Sequence, residues 1–82
     1  MALADDFKKA QEAVNSCSPS QDEKLQLYAW YKQGTEGDVQ GARPGDFVAG
    51  FKYDARVKVK GKSKDEAMAG YVALVKKLGG AV

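Results

Sequence analysis

Apolar residues recur at helical spacing in four separate segments of the chain. In the first segment they follow one another at steps of four, three and four: Leu3, Phe7, Ala10 and Val14. Such steps place side chains on one face of an α-helix, so the pattern predicts a first helix over about residues 3 to 15. The other segments predict helices over about residues 21 to 35, over about 47 to 60, and from Ser63 to the glycine pair at 79 and 80.

Start signals support three of these helices. Ser20 with Glu23, and Ser63 with Glu66, form the Ser-x-x-Glu capping box, in which each side chain accepts a hydrogen bond from the backbone N–H of the other residue. Asp46 is suited to cap the third helix. The sequence therefore predicts an all-α fold, a four-helix bundle.

The segment between the second and third helices, about residues 36 to 45, is the one long loop that the sequence predicts. Gly37 and Gly41 permit tight or left-handed backbone, and Pro44 keeps the third helix from extending backwards. A loop of this length in so small a domain indicates a crossover, so helices two and three need not be antiparallel neighbours. Arg43 is expected to tie the loop down by hydrogen bonding to carbonyl groups or to Asp38.

The end of the third helix allows two interpretations. Residues 57 to 60, Val-Lys-Val-Lys, alternate as a β-strand does. A lone strand would leave its backbone groups unpaired, so helix is favoured.

Trp30 projects roughly 160° around the second helix from Tyr28, so the two rings cannot share a face. We therefore expect Trp30 to pack against another helix.

Composition limits the chain to one small domain over residues 1 to 82. Hydrophobic residues make up 44% of it, but much of this is alanine and none is isoleucine, so a few Leu, Val, Phe and Tyr side chains must form the core. At about 0.05 to 0.15 kcal/mol per residue, the free energy of unfolding should be about 4 to 12 kcal/mol. So small a reserve means that a bound ligand would add noticeably to stability.

One cysteine and no histidine exclude several classes of protein. Cys17 cannot form an intramolecular disulfide, and no residues have zinc-site spacing. No Ser-His-Asp set, Cys-His pair or Walker-type glycine loop is present, so an enzyme is not expected. The chain has neither a secretory signal nor a run of about 18 apolar residues that would span a membrane. We therefore expect a cytoplasmic protein.

The second helix carries the first candidate binding residues. At about 100° per residue, one stripe holds Tyr28, Tyr31, Lys32 and Thr35. Phenol rings, an ammonium and a hydroxyl suit an anionic ligand that also has a flat ring or an apolar body. In the alternative interpretation, the tyrosines are core residues with hydrated hydroxyl groups and the lysine is simply solvated.

The charge is distributed unevenly along the chain. Residues 1 to 23 hold two basic and five acidic side chains, giving −3, whereas residues 24 to 62 hold eight basic and four acidic ones, giving +4. A basic middle that contains most of the tyrosines indicates an anionic partner, although an ordinary mixed surface would give similar counts. From these residues alone the partner could be a small ligand, a nucleic acid or an acidic protein.

A longer motif narrows this choice. The stretch LYAWYKQGTEGDVQGARPG, from Leu27 to Gly45, resembles the signature of the acyl-CoA-binding protein family, in which a Tyr-x-x-Tyr-Lys-Gln helix face leads through a Gly-Asp loop into Arg-Pro-Gly. The likeness continues through Phe47 and residues 52 to 55 to GKSKDEAMAGY at residues 61 to 71, so it covers most of the chain.

The resemblance implies a fold, a function and a set of contacts. It implies four helices in up-down-down-up order that bind long-chain or medium-chain fatty acyl-CoA as a carrier and pool former in lipid metabolism. No cofactor, nucleic acid or second copy of the chain is implied. Lys32, Lys52 and Tyr28 would hold the ribose 3′-phosphate, and Tyr31 and Tyr71 would contact adenine and its surroundings. The alternative is a small helical module that binds protein or nucleic acid through its basic, tyrosine-rich face.

The chain departs from the family pattern mainly in the third helix. The segment between Arg-Pro-Gly and Lys52 is about two residues shorter than is usual, and Tyr53 and Arg56 stand where tryptophans are common. The resemblance therefore supports the head-group site better than the acyl groove. Arg56 is expected either to line that groove, where it would limit the acyl chain, or to face solvent.

Overall fold

The computed structural model describes residues 3–82, and all regular secondary structure in that range is helical. Helix α1 spans Leu3–Ala13 and continues as a 3-10 turn, Val14–Ser16; α2 spans Gln21–Thr35, α3 Phe47–Lys58 and α4 Lys64–Lys77. Within residues 3–82 there is no strand, so the alternating residues 57 to 60 form the end of α3 and a turn. The predicted all-α, four-helix fold is confirmed, and the crossover by the long loop stays a prediction.

The predicted caps are present at the start of α2, α3 and α4. Ser20 accepts from the N–H of Glu23, while the Glu23 carboxylate accepts from the N–H of Ser20 at 2.8 Å. Ser63 and Glu66 make the same reciprocal pair, and Asp46 accepts from the third residue of α3. Each cap satisfies backbone donors that a helix leaves unpaired, so these residues fix where the helices begin.

Helix α4 lies at the centre of the packing, against both α1 and α2, whereas α3 packs mainly on α2. The core cluster comes from α1, α2 and α4, and its buried members are Phe7, Ala10, Leu27, Tyr71, Val72, Leu74 and Val75. Trp30 packs against this cluster. A side chain at Gly70 of α4 would come within 2.8 Å of its indole ring, so the expected packing of Trp30 on another helix is confirmed.

Helix α3 contributes less to the core than its apolar stripe indicated. Val59, just beyond the end of the helix, is buried, but Phe47, Val48 and Phe51 are 80%, 60% and 52% exposed. The physical reason is that α3 has one main packing partner, α2, so a flank of α3 remains open to solvent. A helical period identifies an apolar face without showing what covers it.

Asp38 links the long loop to both of its neighbours. Its carboxylate accepts from the N–H of Gly61 at 2.9 Å and from the amide of Gln33 at 2.7 Å. The hydrogen bond from Gly61 is the main reason that the pKa of Asp38 is lowered, and the one from Gln33 is the second. Gln33 is buried and also donates to the carbonyl of Lys62 at 2.8 Å. The end of α2, the loop and the turn before α4 are thus joined.

Arg43 does anchor the loop, but its partner differs from the expected one. Its guanidinium forms two hydrogen bonds with the Asp54 carboxylate of α3, at 3.0 and 3.1 Å. The guanidinium lies over Gly50, where a Cβ atom would be 2.7 Å from Nη2. Because this glycine leaves room on α3, Arg43 reaches Asp54 there, while Asp38 is already satisfied by other donors.

Candidate functional site

Helices α2 and α3 bring together Tyr28, Lys32 and Lys52, which we call the basic site. The Nζ atoms of Lys52 and Lys32 lie 5.2 and 5.9 Å from the centre of the Tyr28 ring. Tyr28 and Lys32 are one helical turn apart on α2, and Lys52 reaches towards them from α3. The three residues predicted to hold a phosphate therefore lie side by side, although Lys52 is distant from the other two in sequence.

A neighbouring carboxylate engages one of these lysines. Glu36 forms an ion pair with Lys32 at 2.8 Å across one turn of α2 and its C-cap. The hydrogen bond between the two side chains, together with the attraction between their opposite charges, raises the pKa of Lys32 and lowers the pKa of Glu36. Lys52 has no carboxylate within ion-pair distance among residues 3–82. An anion at the basic site would meet one available ammonium and one that is already paired.

The other two predicted residues, Tyr31 and Tyr71, form an aromatic cluster with Phe7. The Tyr31 ring stacks on Phe7 at 5.9 Å between centroids, and Tyr71 meets Phe7 edge to face at 5.1 Å. Tyr31 is 37% exposed but Tyr71 only 6%. Burial is the main reason that the pKa of Tyr71 is raised. Tyr31 can thus offer ring surface to a ligand, whereas Tyr71 is mostly a core residue.

A shallow cavity of about 420 Å³ opens over this cluster. We call it the tyrosine cavity because Tyr28, Tyr31 and Tyr71 line it. Leu27 and Pro19 add apolar wall, and Lys24 adds a cation. The cavity is suited to a flat ring that carries a charged group at its edge.

A second cavity, about 550 Å³, lies between α2 and α3, and we call it the α2–α3 groove. Its apolar walls are Leu25, Ala29 and Trp30 on one side and Phe51, Ala55 and Val59 on the other. On α2, Tyr28 and Lys32 lie at helical positions between the residues of the tyrosine cavity and those of the groove. The basic site therefore lies between an aromatic cavity and a groove that is mainly apolar but is also lined by charged residues, among them Asp22, Lys58 and Lys62.

Sequence reasoning missed two side chains of this region. Lys24 stands four residues before Tyr28, so helical spacing alone could have placed it on the same stripe. The contact of Phe7 with Tyr31 and Tyr71 joins three helices, and no local pattern in the sequence signals it.

Arg56 takes neither of its two expected positions. It lines neither cavity, and it is only partly exposed to solvent. Its guanidinium donates to the carbonyl of Gly37 at 3.3 Å, which adds another tie between α3 and the loop after α2. In place of a large ring, this position carries a long side chain that reaches the loop.

Residues 3–82 hold neither a candidate metal centre nor a membrane-spanning helix. No group of three or more Cys, Asp or Glu side chains could hold a metal ion in that range. None of the described helices has both the length and the apolar character needed to cross a bilayer.

The chain matches known proteins over almost its whole length. The family profile described as Acyl CoA binding protein matches residues 4–75. Acyl-CoA-binding protein of Gossypium hirsutum is 44% identical over 82 residues, which is 95% of this chain and 92% of that protein. Acyl-CoA-binding domain-containing protein 3 of Oryza sativa subsp. japonica is 46% identical over 95% of this chain, which spans 53% of that longer relative.

A solved structure gives the same result for the fold. The crystal structure of Oryza sativa Acyl-CoA-Binding Protein 2 superimposes with a TM-score of 0.87 at 42% identity, covering 94% of this chain and 90% of that one. Fold and sequence thus define a small helical binding protein. The chain belongs to the acyl-CoA-binding protein family.

Proposed function

We propose that this protein binds fatty acyl-CoA esters and acts as a non-catalytic carrier and pool former for them. The observation that carries this proposal is the position of the basic site, with Lys32 and Lys52 beside Tyr28 between an aromatic cavity and an apolar groove. An acyl-CoA has the matching parts, namely a purine ring, phosphate groups and a long apolar chain.

The head group is assigned to the basic site and the tyrosine cavity. The ammonium groups of Lys32 and Lys52 and the hydroxyl of Tyr28 can replace the water that hydrates the 3′-phosphate. Adenine then lies in the tyrosine cavity, where Tyr31 presents an exposed ring face. Tyr71 contributes mainly by supporting Tyr31 through Phe7, since little of its own ring is exposed.

The acyl chain is assigned to the α2–α3 groove. Leu25 of α2 and Phe51 of α3 both line this groove. Transfer of a methylene group from water to such a surface contributes about 0.8 kcal/mol. Because the groove adjoins the basic site on the side away from the tyrosine cavity, one ligand can occupy all three. We further propose that the protein works as a cytoplasmic monomer, without a cofactor and without binding nucleic acid.

The assignment of adenine is tested by replacing Tyr31 with leucine. Stacking of a base on an aromatic ring is worth about 1 to 3 kcal/mol, so affinity for acyl-CoA should fall about fivefold to a hundredfold. Because Tyr31 is partly exposed, the thermal midpoint of the free protein should change little. Titration calorimetry and a thermal melt measure the two quantities.

Tyr53→Leu provides the matched control. Tyr53 is another partly exposed tyrosine, but its hydroxyl donates to the carbonyl of Gly41 and it lines neither cavity. This variant should bind acyl-CoA as the parent does. A Tyr31→Leu variant that is strongly destabilised but binds with unchanged affinity would show that Tyr31 is a core residue and not a ligand contact.

Glu36 is expected to weaken phosphate binding, because its carboxylate forms an ion pair with Lys32 in the free protein. A ligand phosphate must displace this carboxylate and then remain near its charge. Glu36→Gln should therefore increase affinity for a 3′-phosphorylated acyl-CoA by about three- to tenfold. Calorimetric titration at low and moderate salt measures the gain, which should shrink as salt is added.

Two controls separate this effect from a general change of charge. Glu12→Gln removes an exposed carboxylate on α1, a helix that contributes no residue to the basic site, and should leave affinity unchanged. The 3′-dephospho form of the same ligand should bind both the parent and Glu36→Gln with nearly equal affinity. An equal gain for the two ligands would show that Glu36 does not compete at the 3′-phosphate.

A further inference from the structure

The guanidinium of Arg56 lies partly buried beside the loop after α2, and no carboxylate within residues 3–82 forms an ion pair with it. It donates to the carbonyl of Gly37 at 3.3 Å, but its Nε atom is buried and has no hydrogen-bond partner in the described part of the chain. A buried donor or charge without a partner is costly. An acceptor that moved towards this guanidinium would therefore be held there.

Glu36 is placed to be that acceptor. It directly precedes Gly37, to which Arg56 is hydrogen-bonded, and its side chain is half exposed at the end of α2, where it can change rotamer. The hydrogen bond with Lys32 is the main reason that the pKa of Glu36 is lowered, and the charge of Arg56 lowers it further. The same charge opposes the rise in the pKa of Lys32 that the hydrogen bond with Glu36 causes.

The two helices place these groups in register. Tyr28, Lys32 and Glu36 follow one another at single turns of α2, and Lys52 and Arg56 are one turn apart on α3. Lys52 lies 5.2 Å from the centre of the Tyr28 ring, and Arg56 reaches the loop just after Glu36. Glu36 thus has one cation on its own helix and a second one near it on α3.

We propose that the Glu36 carboxylate moves from Lys32 to Arg56 when a ligand phosphate binds at the basic site. The inference rests on the proposed function, because the phosphate is that of the acyl-CoA. In the free protein Glu36 pairs with Lys32; in the bound protein the phosphate pairs with Lys32, and Glu36 pairs with Arg56. Arg56 is therefore a positioning residue, which draws a competing carboxylate away from the phosphate without touching the ligand.

The first test is a double-mutant cycle, measured by calorimetric titration with a 3′-phosphorylated acyl-CoA. Arg56→Gln removes the charge but keeps a donor for the carbonyl of Gly37. It should weaken affinity about three- to tenfold in the parent protein, but less than about twofold in Glu36→Gln, because a neutral amide needs no cation to receive it. Arg56→Lys keeps the charge and should retain most of the parent affinity.

Arg43→Gln is the matched control. Arg43 is the other arginine that anchors the long loop, but its guanidinium is paired with Asp54. Its replacement should change affinity by the same factor in the parent protein and in Glu36→Gln. With the 3′-dephospho ligand, Arg56→Gln should cost little in either protein, because Glu36 then has no reason to leave Lys32.

A second measurement needs no ligand. Lys32→Ala leaves Glu36 without its partner, so the carboxylate should turn to Arg56 in the free protein. The NMR signal of the Arg56 Nε–H should therefore shift in Lys32→Ala relative to the parent protein. Adding Glu36→Gln to Lys32→Ala should reverse that shift.

Two results would overturn the proposal. Equal losses for Arg56→Gln in the parent protein and in Glu36→Gln would show that Arg56 serves only to anchor the loop. An unshifted Nε–H signal in Lys32→Ala would show that Glu36 does not move to Arg56. If the parent protein bound no acyl-CoA at all, the proposed function would fail instead, whereas a shifted signal in Lys32→Ala would still support the transfer of Glu36.

Discussion

Replacing Lys32 or Lys52 with alanine is expected to weaken binding of a long-chain acyl-CoA by about ten- to a hundredfold. Both ammonium groups lie beside the ring of Tyr28, and a charge-assisted hydrogen bond to phosphate is among the stronger single contacts that a ligand can make. Lys52→Ala should show the larger loss, because Lys32 must first leave Glu36. Calorimetric titration measures both variants, and neither substitution should unfold the protein.

The control ligand is the 3′-dephospho form of the same acyl-CoA. The lysine variants should bind it almost as well as the parent does. This ligand has no 3′-phosphate, so the lysines of the parent protein have no phosphate to contact either. Lys60→Ala, which removes an exposed lysine from the same basic stretch, should bind the normal ligand with little loss. An equal penalty for the dephosphorylated ligand would rule out the 3′-phosphate as the partner of these lysines.

A second large effect is expected from the length of the acyl chain. At about 0.8 kcal/mol for each buried methylene, affinity should rise about fourfold per carbon until the α2–α3 groove is filled. Dissociation constants for saturated chains of increasing length would show this slope and the length at which it flattens. Leu25→Ser places a polar group on the groove wall, so it should reduce the slope while leaving affinity for free CoA unchanged.

Arg56→Trp tests whether that position limits the chain length. Because Arg56 binds the carbonyl of Gly37 and lines neither cavity, the substitution should leave the plateau at the same acyl length. A plateau that moved to longer chains would place Arg56 in the groove and contradict the assignment of the acyl chain to its present walls.

Much of the fold could be predicted because its signals are local. Helical spacing and the reciprocal Ser20–Glu23 and Ser63–Glu66 pairs depend on residues three or four apart, and the structure has them as predicted. The long loop after α2 also follows from local composition. The hydrogen bonds that anchor the loop were less predictable. Arg43 pairs with Asp54 because Gly50, on a different helix, has no side chain to block the guanidinium.

The candidate site could also be predicted only where its residues are close in sequence. Spacing placed Tyr28 and Lys32 on one stripe, but only the resemblance to a family brought Lys52 to them, because two separate helices meet there. Spacing also could not tell exposed from buried rings. Tyr31 and Tyr71 proved to be partners in one cluster with very different exposure, since α4 packs at the centre of the domain and α2 has a face towards solvent.

Carriage of acyl-CoA is tested most directly by one calorimetric titration of the intact protein with a long-chain acyl-CoA, compared with free CoA. We expect one ligand per chain, with the acyl ester binding at least about a hundredfold more tightly than free CoA because the groove takes up many methylene groups. The same ligand should raise the thermal midpoint as its concentration increases. No heat of binding and no thermal shift with the acyl ester would contradict the proposed function.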